Sequence, residues 1–229
     1  MLTPPEIARS LLAAGESKAR LPFGKMLLLA ILAGAYIALA GVGATAAAVT
    51  VESGSLAKLL SACVFPAGLS MVILAGSELF TGNCLMVMAL LERRITPAQL
   101  LRNWLTVYLG NAVGGAAVAA LAVYSHTASL FGDGLARSMV SIAESKAALG
   151  AGDAFLRGVL CNFLVCLAVW MAAASKHAEG KVIALFFPIL LFVLCGYEHC
   201  IANLYYLPAG AFAAAEYGME TTLTLAGCL

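Results

Sequence analysis

The stretch from Leu59 to Leu91 reads LLSACVFPAGLSMVILAGSELFTGNCLMVMALL and carries a single charge, at Glu78. It is too long for one upright membrane crossing, which takes ~20 residues, and too short for two crossings joined by a turn. The economical arrangement is a broken helix, in which two half-helices meet in an irregular loop at membrane depth. Such a loop is tolerated only where protein buries it or where it lines a cavity. The stretch therefore predicts a membrane protein with a cavity at the break.

A second stretch of the same kind runs from Val182 to Ala215, where only Glu198 and His199 interrupt the apolar residues. The centres of the two stretches match, because Gly76–Asn83 reads GSELFTGN and Gly196–Asn203 reads GYEHCIAN. Both follow the pattern G-x-E-x-x-x-x-N. The first span is expected to run inward and the second outward, so the two halves would be inverted repeats. Paired discontinuous helices in such repeats are a recurring design of transporters, and the breaks face the substrate path.

The composition places the rest of the chain in a lipid bilayer. Of the 229 residues, 62% are hydrophobic and 11% are charged, whereas a soluble domain carries about 25% charged residues. Three uncharged runs mark further spans, namely Met26–Thr50, Asn103–Gly132 and Gly158–Ser175. The net charge of +1 indicates no nucleic-acid partner. We therefore predict an all-α membrane protein with an aquaporin-like inverted repeat and two broken helices.

The chain is expected to divide into an amphipathic N-terminal helix and a pore domain. Residues 1–24 form the helix, at the cytoplasmic interface, and residues 25–229 form the transmembrane domain. The first repeat covers about 25–126 and the second about 152–229. The third element of the first repeat should recur from about residue 218, so a sixth span is expected to be missing from this sequence.

The basic residues set the orientation. With the N-terminus inside, the cytoplasmic segments hold most of them: Arg9, Lys18, Arg20, Lys25, Arg93, Arg94, Arg102, Lys176 and Lys181. The outer segments hold Lys58, Arg137, Lys146 and Arg157. Because Lys and Arg concentrate in cytoplasmic loops, we predict a multi-pass protein of the bacterial plasma (inner) membrane with a cytoplasmic N-terminus.

The sequence lacks the motifs expected of a membrane-embedded enzyme or redox protein. It contains no H-E-x-x-H motif, and its seven cysteines include no C-x-x-C pair. All cysteines but Cys228 lie in apolar runs, where small polarizable side chains serve packing. A water or glycerol channel would share the architecture, but the breaks lack an Asn-Pro-Ala signature. The sequence predicts no enzyme, no cofactor and no metal site.

Two acidic residues, Glu78 and Glu198, lie deep in apolar runs, where a charge costs at least ~2.5 kcal/mol. One interpretation places them on the permeation path. The other, which we favour, gives them a structural role at the helix breaks, together with Asn83 and Asn203. Each carboxylate would then accept hydrogen bonds from the free N–H groups of its broken helix.

His199 is the one histidine at membrane depth, and it lies on a break. It is either a satisfied core residue or, as we favour, a group that donates a hydrogen bond or a proton to a passing anion. Thr81 offers a hydroxyl at the matching break, and Asn162 is a polar residue in the middle of the fourth span. We predict that Thr81 and Asn162 face a cavity.

Three further residues have two interpretations each. Phe65, Leu69 and Phe192 are core or lipid-facing residues by composition, but beside polar pore residues they would form apolar constrictions that exclude hydrated ions. Lys146, in an outer segment, is by default a solvated surface charge.

Together these segments resemble the formate/nitrite transporter family from about Pro4 to Leu229. The resemblance rests on both break motifs, on Asn103-Trp104 and Gly110-Asn111, and on the run NFLVCLAVWM that begins at Asn162. It implies an aquaporin-like six-helix protomer that assembles as a homopentamer, with one pore in each subunit. The break motifs are most similar to those of nitrite-type members, with formate-type and hydrosulfide-type members close behind.

The resemblance also implies residue roles. Phe65 and Leu69 would form the cytoplasmic constriction with Phe192 beside them, and Lys146 would attract anions to the outer vestibule. Thr81 would be the loop threonine, His199 the central histidine and Asn162 its polar neighbour. The implied substrates are small weak-acid anions, most simply nitrite or formate, with protons assisting permeation. A hydrosulfide channel and a truncated, non-functional remnant are the alternatives.

Overall fold

The structure, a computed structural model, describes residues 1–223, and this part of the chain is helical and contains no strand. The predicted approach to a sixth span, Thr221–Leu229, lies mostly outside the described residues, as does Cys228. The helices are α1 Pro4–Ala19, α2 Phe23–Ala48, α3 Gly54–Ala75, α4 Phe80–Leu91, α5 Pro97–Tyr124, α6 Gly134–Ala147, α7 Ala151–Ala173, α8 Ala178–Leu194 and α9 Cys200–Glu216. Helix α3 continues through Pro66, and α4 contains a 3₁₀ turn at Cys84–Met86.

Helices α2, α3, α5 and α7 are long and apolar enough to cross a membrane. This confirms the prediction of an all-helical, multi-pass protein. The uncharged run Asn103–Gly132 is not one span, however. Helix α5 ends at Tyr124, and His126, Phe131 and Asp133 adopt left-handed backbone conformations beyond it. Hydropathy misses this end because the residues between Tyr124 and Asp133, where the chain turns, are uncharged.

Both long apolar stretches are broken where the sequence predicts. Helix α3 ends at Gly76 (φ +76°), and the Ser77 N–H donates to the Val72 carbonyl at 3.0 Å. In α8 the Tyr197 N–H donates to the Phe192 carbonyl at 3.0 Å, just after Gly196 (φ +69°). This is the Schellman pattern of helix ends, which favours glycine because the left-handed conformation costs glycine nothing. The two breaks therefore end their first half-helices in the same way.

Helices α2 and α5 approach each other closely along a row of small residues. A Cβ atom at Gly34 would overlap the Asn111 carbonyl, and one at Gly114 would overlap the Ile31 carbonyl. Close backbone approach through small residues is the usual means of packing helices in membranes. This packing positions Asn111 beside the first break, where it forms hydrogen bonds with the loop.

We expect Gly34→Ala to destabilise the protein by about 1–3 kcal/mol, because the added methyl group must push α5 away. Gly24→Ala is the matched control in the same helix, since a Cβ there meets no atom within 4 Å. Thermal unfolding in detergent should show a clear loss for the first variant and little change for the second. Equal melting temperatures would contradict the close packing of α2 and α5.

Helix α1 begins with a capping box and packs against the pore domain. The Glu6 carboxylate accepts hydrogen bonds from the Thr3 N–H and hydroxyl, both at 2.7 Å, and these bonds lower the pKa of Glu6. The Leu2 N–H donates to the Ala174 carbonyl at 2.9 Å. The inner face of the helix joins a small apolar core with α4 and α5, formed by Leu12, Ala19, Met86, Ala89, Ile95 and Leu100. Helix α1 is thus tied to the ends of the spans.

Candidate functional site

At the first break, the buried Glu78 carboxylate has two side-chain donors. Lys18 of α1 lies 2.6 Å from Oε1, and the Asn83 amide donates to Oε2 at 2.8 Å. The same amide donates to Asn103 Oδ1 at 2.9 Å. A carboxylate at membrane depth is thereby both paired and hydrogen-bonded, which such a charge requires. The sequence pattern alone does not identify Lys18 as part of this site.

The second break repeats the arrangement. Lys146 of α6 lies 2.7 Å from Glu198 Oε2, to which the Asn203 amide donates at 2.9 Å. The lysine also lies 5.3 Å from the centre of the Tyr206 ring, within the range of a cation–π interaction. Its side chain is 17% exposed. The default interpretation of Lys146 as a solvated surface charge is therefore wrong, because α6 folds it inward onto the break.

The backbone of the first break is held by Asn111 rather than by Glu78. The Phe80 N–H donates to Asn111 Oδ1 at 3.0 Å, and the Asn111 amide donates to the carbonyls of Glu78 (2.9 Å) and Ala30 (2.7 Å). The expectation that the two glutamates accept the free N–H groups of their own helices is not met in the described residues. Lysine and asparagine side chains are their partners instead. In the sequence, the signal for Asn111 is a polar residue inside the uncharged run Asn103–Gly132.

His199 and Thr81 join the two breaks at the centre of the molecule. Thr81 Oγ1 lies 3.1 Å from His199 Nε2, and both side chains are buried. On the other side of the ring, the Ala202 N–H donates to Nδ1 at 3.0 Å. Because Nδ1 accepts this bond, the proton of the neutral imidazole lies on Nε2 and points toward Thr81. The ring stacks on Phe192, with centres 5.6 Å apart.

Asn162 lies beside this pair. It lines a largely apolar cavity of about 680 Å³ together with Thr81 and His199. Its amide contacts Cys166 Sγ at 3.7 Å, and its buried Oδ1 has no hydrogen-bond partner among residues 1–223. The structure thus places Thr81 and Asn162 on one cavity.

The apolar residues form a narrow neck between two larger cavities. Phe65 and Phe192 pack edge to face with ring centres 5.7 Å apart. With Leu69, Leu79 and His199 they surround a void of about 10 Å³, which has room for about one water molecule. A hydrated ion does not fit through this neck in the conformation described.

The cavity on one side of the neck, called the Lys146 cavity here, has a volume of about 310 Å³. The charged residues of its wall are Lys58, Lys146, Arg157 and Glu198. Three cations and one carboxylate give a net charge of +2. Phe65, Phe192 and His199 form its floor.

The cavity on the other side, called the Lys18 cavity here, measures about 510 Å³. Its charged residues are Lys18, Lys25 and Glu78, a net charge of +1, and Leu69 and Leu79 close its inner end. Phe65 therefore lines the Lys146 cavity and Leu69 the Lys18 cavity, and both side chains border the neck between them. The two side chains lie one turn apart on α3, which is about 6 Å along the helix axis, and this rise separates them across the neck.

This geometry suits the passage of anions and offers little to a metal ion. Within residues 1–223, no three His, Cys, Asp or Glu side chains are placed to bind a metal. Two cavities lined by a net positive charge attract negative ions. Among the residues that line the neck between them, His199 is the polar side chain, and it contacts Thr81 in an otherwise apolar surround.

Known proteins share this sequence and this fold. A sequence model described as "Formate/nitrite transporter" matches residues 5–227. The "Probable formate transporter" of Methanothermobacter thermautotrophicus is 39% identical, with the match covering 92% of this chain and 83% of that protein. The "Formate channel FocA" of Haemophilus influenzae is 41% identical over 80% of this chain and 66% of that protein.

Two solved structures superimpose closely on this one. An "FNT family ion channel" has a TM-score of 0.86 and 31% identity and covers 98% of this chain and 88% of its own. A "Pentameric formate channel with formate bound" has a TM-score of 0.76 and 31% identity, with 86% of this chain and 82% of its own covered.

Proposed function

Because the chain belongs to the formate/nitrite transporter family, whose relatives are channels and transporters rather than enzymes, we propose that it moves formate or nitrite across a membrane. The observation that carries the proposal is the pair of positively lined cavities that meet at the neck beside His199. The relatives named as formate channels favour formate. The break motifs favour nitrite, which is the second candidate, and hydrosulfide is the third.

The cost of desolvation determines the proposed mechanism. A bare anion in the neck would lose its water, and an unpaired charge in an apolar surround is expensive. A weak-acid anion avoids this cost when it takes up a proton in the first cavity, crosses the neck as the neutral acid, and releases the proton in the second cavity. The net process carries one anion and one proton.

His199 and Thr81 act as a hydrogen-bond relay in this mechanism. The imidazole holds its single proton on Nε2, toward Thr81, while Nδ1 is occupied by the Ala202 N–H. A second proton on Nδ1 would face that N–H and break the bond. The relay therefore donates hydrogen bonds to the passing molecule, and the proton that neutralises the anion comes from water in the cavity.

We also propose an oligomeric state and an orientation in the membrane for this chain. The likeness to a pentameric channel supports a homopentamer, and the distribution of Lys and Arg supports a plasma-membrane protein with a cytoplasmic N-terminus. The Lys18 cavity would then face the cytoplasm. The matching lysine–glutamate–asparagine contacts at the two breaks support the inverted repeat.

Uptake into proteoliposomes tests the proposal directly. The purified chain should carry formate and nitrite, faster at pH 5 than at pH 7.5 because more of each acid is neutral or readily protonated. Uptake of hydrosulfide, measured in the same way, tests the third candidate. Uptake of glycerol is the control for a channel that passes neutral solutes. If the chain forms a stable oligomer in detergent but carries none of the three anions, the proposal is wrong.

A further inference from the structure

The Lys146 cavity contains two kinds of cation, one engaged in an ion pair and two that are not. We propose that Lys58 and Arg157, rather than Lys146, recruit the anion into this cavity, and that Lys146 holds the second break in place. The inference rests on the proposed transport of small anions. It assigns a function to two residues that neither the break motifs nor the neck identifies.

Lys146 has its charge satisfied. Its ammonium group lies 2.7 Å from Glu198 Oε2 and over the Tyr206 ring, and the two charged side chains are only 17% and 11% exposed. An anion that approaches Lys146 meets the carboxylate at nearly the same distance. The attraction of the pair for a distant charge is therefore small, because the two opposite charges largely cancel.

Lys58 and Arg157 are in the opposite situation. Both side chains are exposed and line the same cavity, one from the start of α3 and the other from the start of α7. In the part of the chain that the structure describes, neither forms an ion pair. The net charge of +2 in the cavity is thus carried by these two residues, which face the cavity from two different helices.

The Lys18 cavity shows the same division independently. Lys18 is paired with Glu78 at 2.6 Å, whereas Lys25 is exposed and has no ion-pair partner among residues 1–223. In each cavity, then, one lysine binds the glutamate of the break and at least one other cation is free. We therefore expect recruitment and support of the break to be separable by mutation.

The test compares K58Q, R157Q and the double variant with the native chain in proteoliposomes, with formate as the probe. At a salt concentration of about 20 mM, the double variant should need about three- to ten-fold more formate for half-maximal uptake, at an unchanged maximal rate. At about 300 mM salt the difference should nearly vanish, because exposed charges are screened. Lys176→Gln is the matched control, since this exposed lysine lines neither cavity.

Lys146→Met provides the contrast. Because it leaves Glu198 unpaired, it should lower the maximal rate and the melting temperature, without reproducing the salt-dependent shift in half-saturation. Lys58→Arg should behave like the native chain, which excludes a role of lysine shape.

An unchanged half-saturation concentration in a folded double variant would overturn the inference, and so would an equal, salt-dependent shift in Lys146→Met at full maximal rate. Both results would leave the proposed function standing. Failure of the native chain to carry formate, nitrite or hydrosulfide would instead refute the proposed function itself.

Discussion

Replacement of His199 by alanine is expected to lower the rate of anion uptake by about 100-fold, the usual cost of removing one positioned donor from a desolvated site. The imidazole Nε2, which carries the proton of the ring, lies 3.1 Å from Thr81 Oγ1. Without it, the neutral acid and its anion meet apolar side chains and one hydroxyl. Uptake of formate and nitrite in proteoliposomes, measured from pH 5 to pH 8, gives the rate and its pH dependence.

The alanine variant also removes a helix cap, so a second variant is needed. His199 Nδ1 accepts the Ala202 N–H at the start of α9, and loss of such a cap costs about 1 kcal/mol. Asparagine can accept that same bond, but it places no donor at the position of Nε2. His199→Asn should therefore fold as well as the native chain and still lose most of the uptake.

His177→Ala is the matched control, because this histidine is exposed at the start of α8. It should transport at the native rate. Native uptake by His199→Asn across the whole pH range would contradict the relay. Thr81→Ser should keep the hydroxyl and lose little, whereas Thr81→Val should resemble the asparagine variant.

The sequence was sufficient to predict where the two long apolar stretches break. The reason is that unusual residues carry the signal: glycine where the backbone turns left-handed, glutamate and histidine where the neighbours are apolar. This signal identifies Gly76, Gly196 and His199, and the match between the two breaks adds Thr81. Each is conspicuous within its own segment, and no tertiary information is needed to find it.

The partners of the two glutamates could not be found in this way. Lys18 and Lys146 lie on amphipathic helices, where a lysine is ordinarily solvated, and only the packing of α1 and α6 brings them inward. The cavities that Phe65 and Leu69 reach could not be predicted for a related reason. Spacing along a helix shows that two side chains share a face, but which cavity each one reaches depends on the neighbouring helices.

Replacement of Lys18 by methionine is expected to destabilise the protein by about 2 kcal/mol or more. Glu78 is 6% exposed in its side chain, and an uncompensated charge in such a place is strongly destabilising. Arg94→Met is the matched control, because Arg94 pairs with Glu16 at 3.0 Å between exposed side chains. Like Lys18, this pair links α1 to the first repeat, but a surface pair is worth about 0–1 kcal/mol.

A second comparison separates loss of charge from loss of contact. Glu78→Gln should cost less than Lys18→Met, although Glu78 is the more buried partner. The glutamine keeps an acceptor for Asn83, and the ammonium group of Lys18, in a side chain 29% exposed, stays in contact with water. Melting temperatures of the three variants in detergent give the order. Equal and small losses of melting temperature in all three variants would show that α1 contributes little to the stability of the first break. The expected order would show that α1 stabilises it.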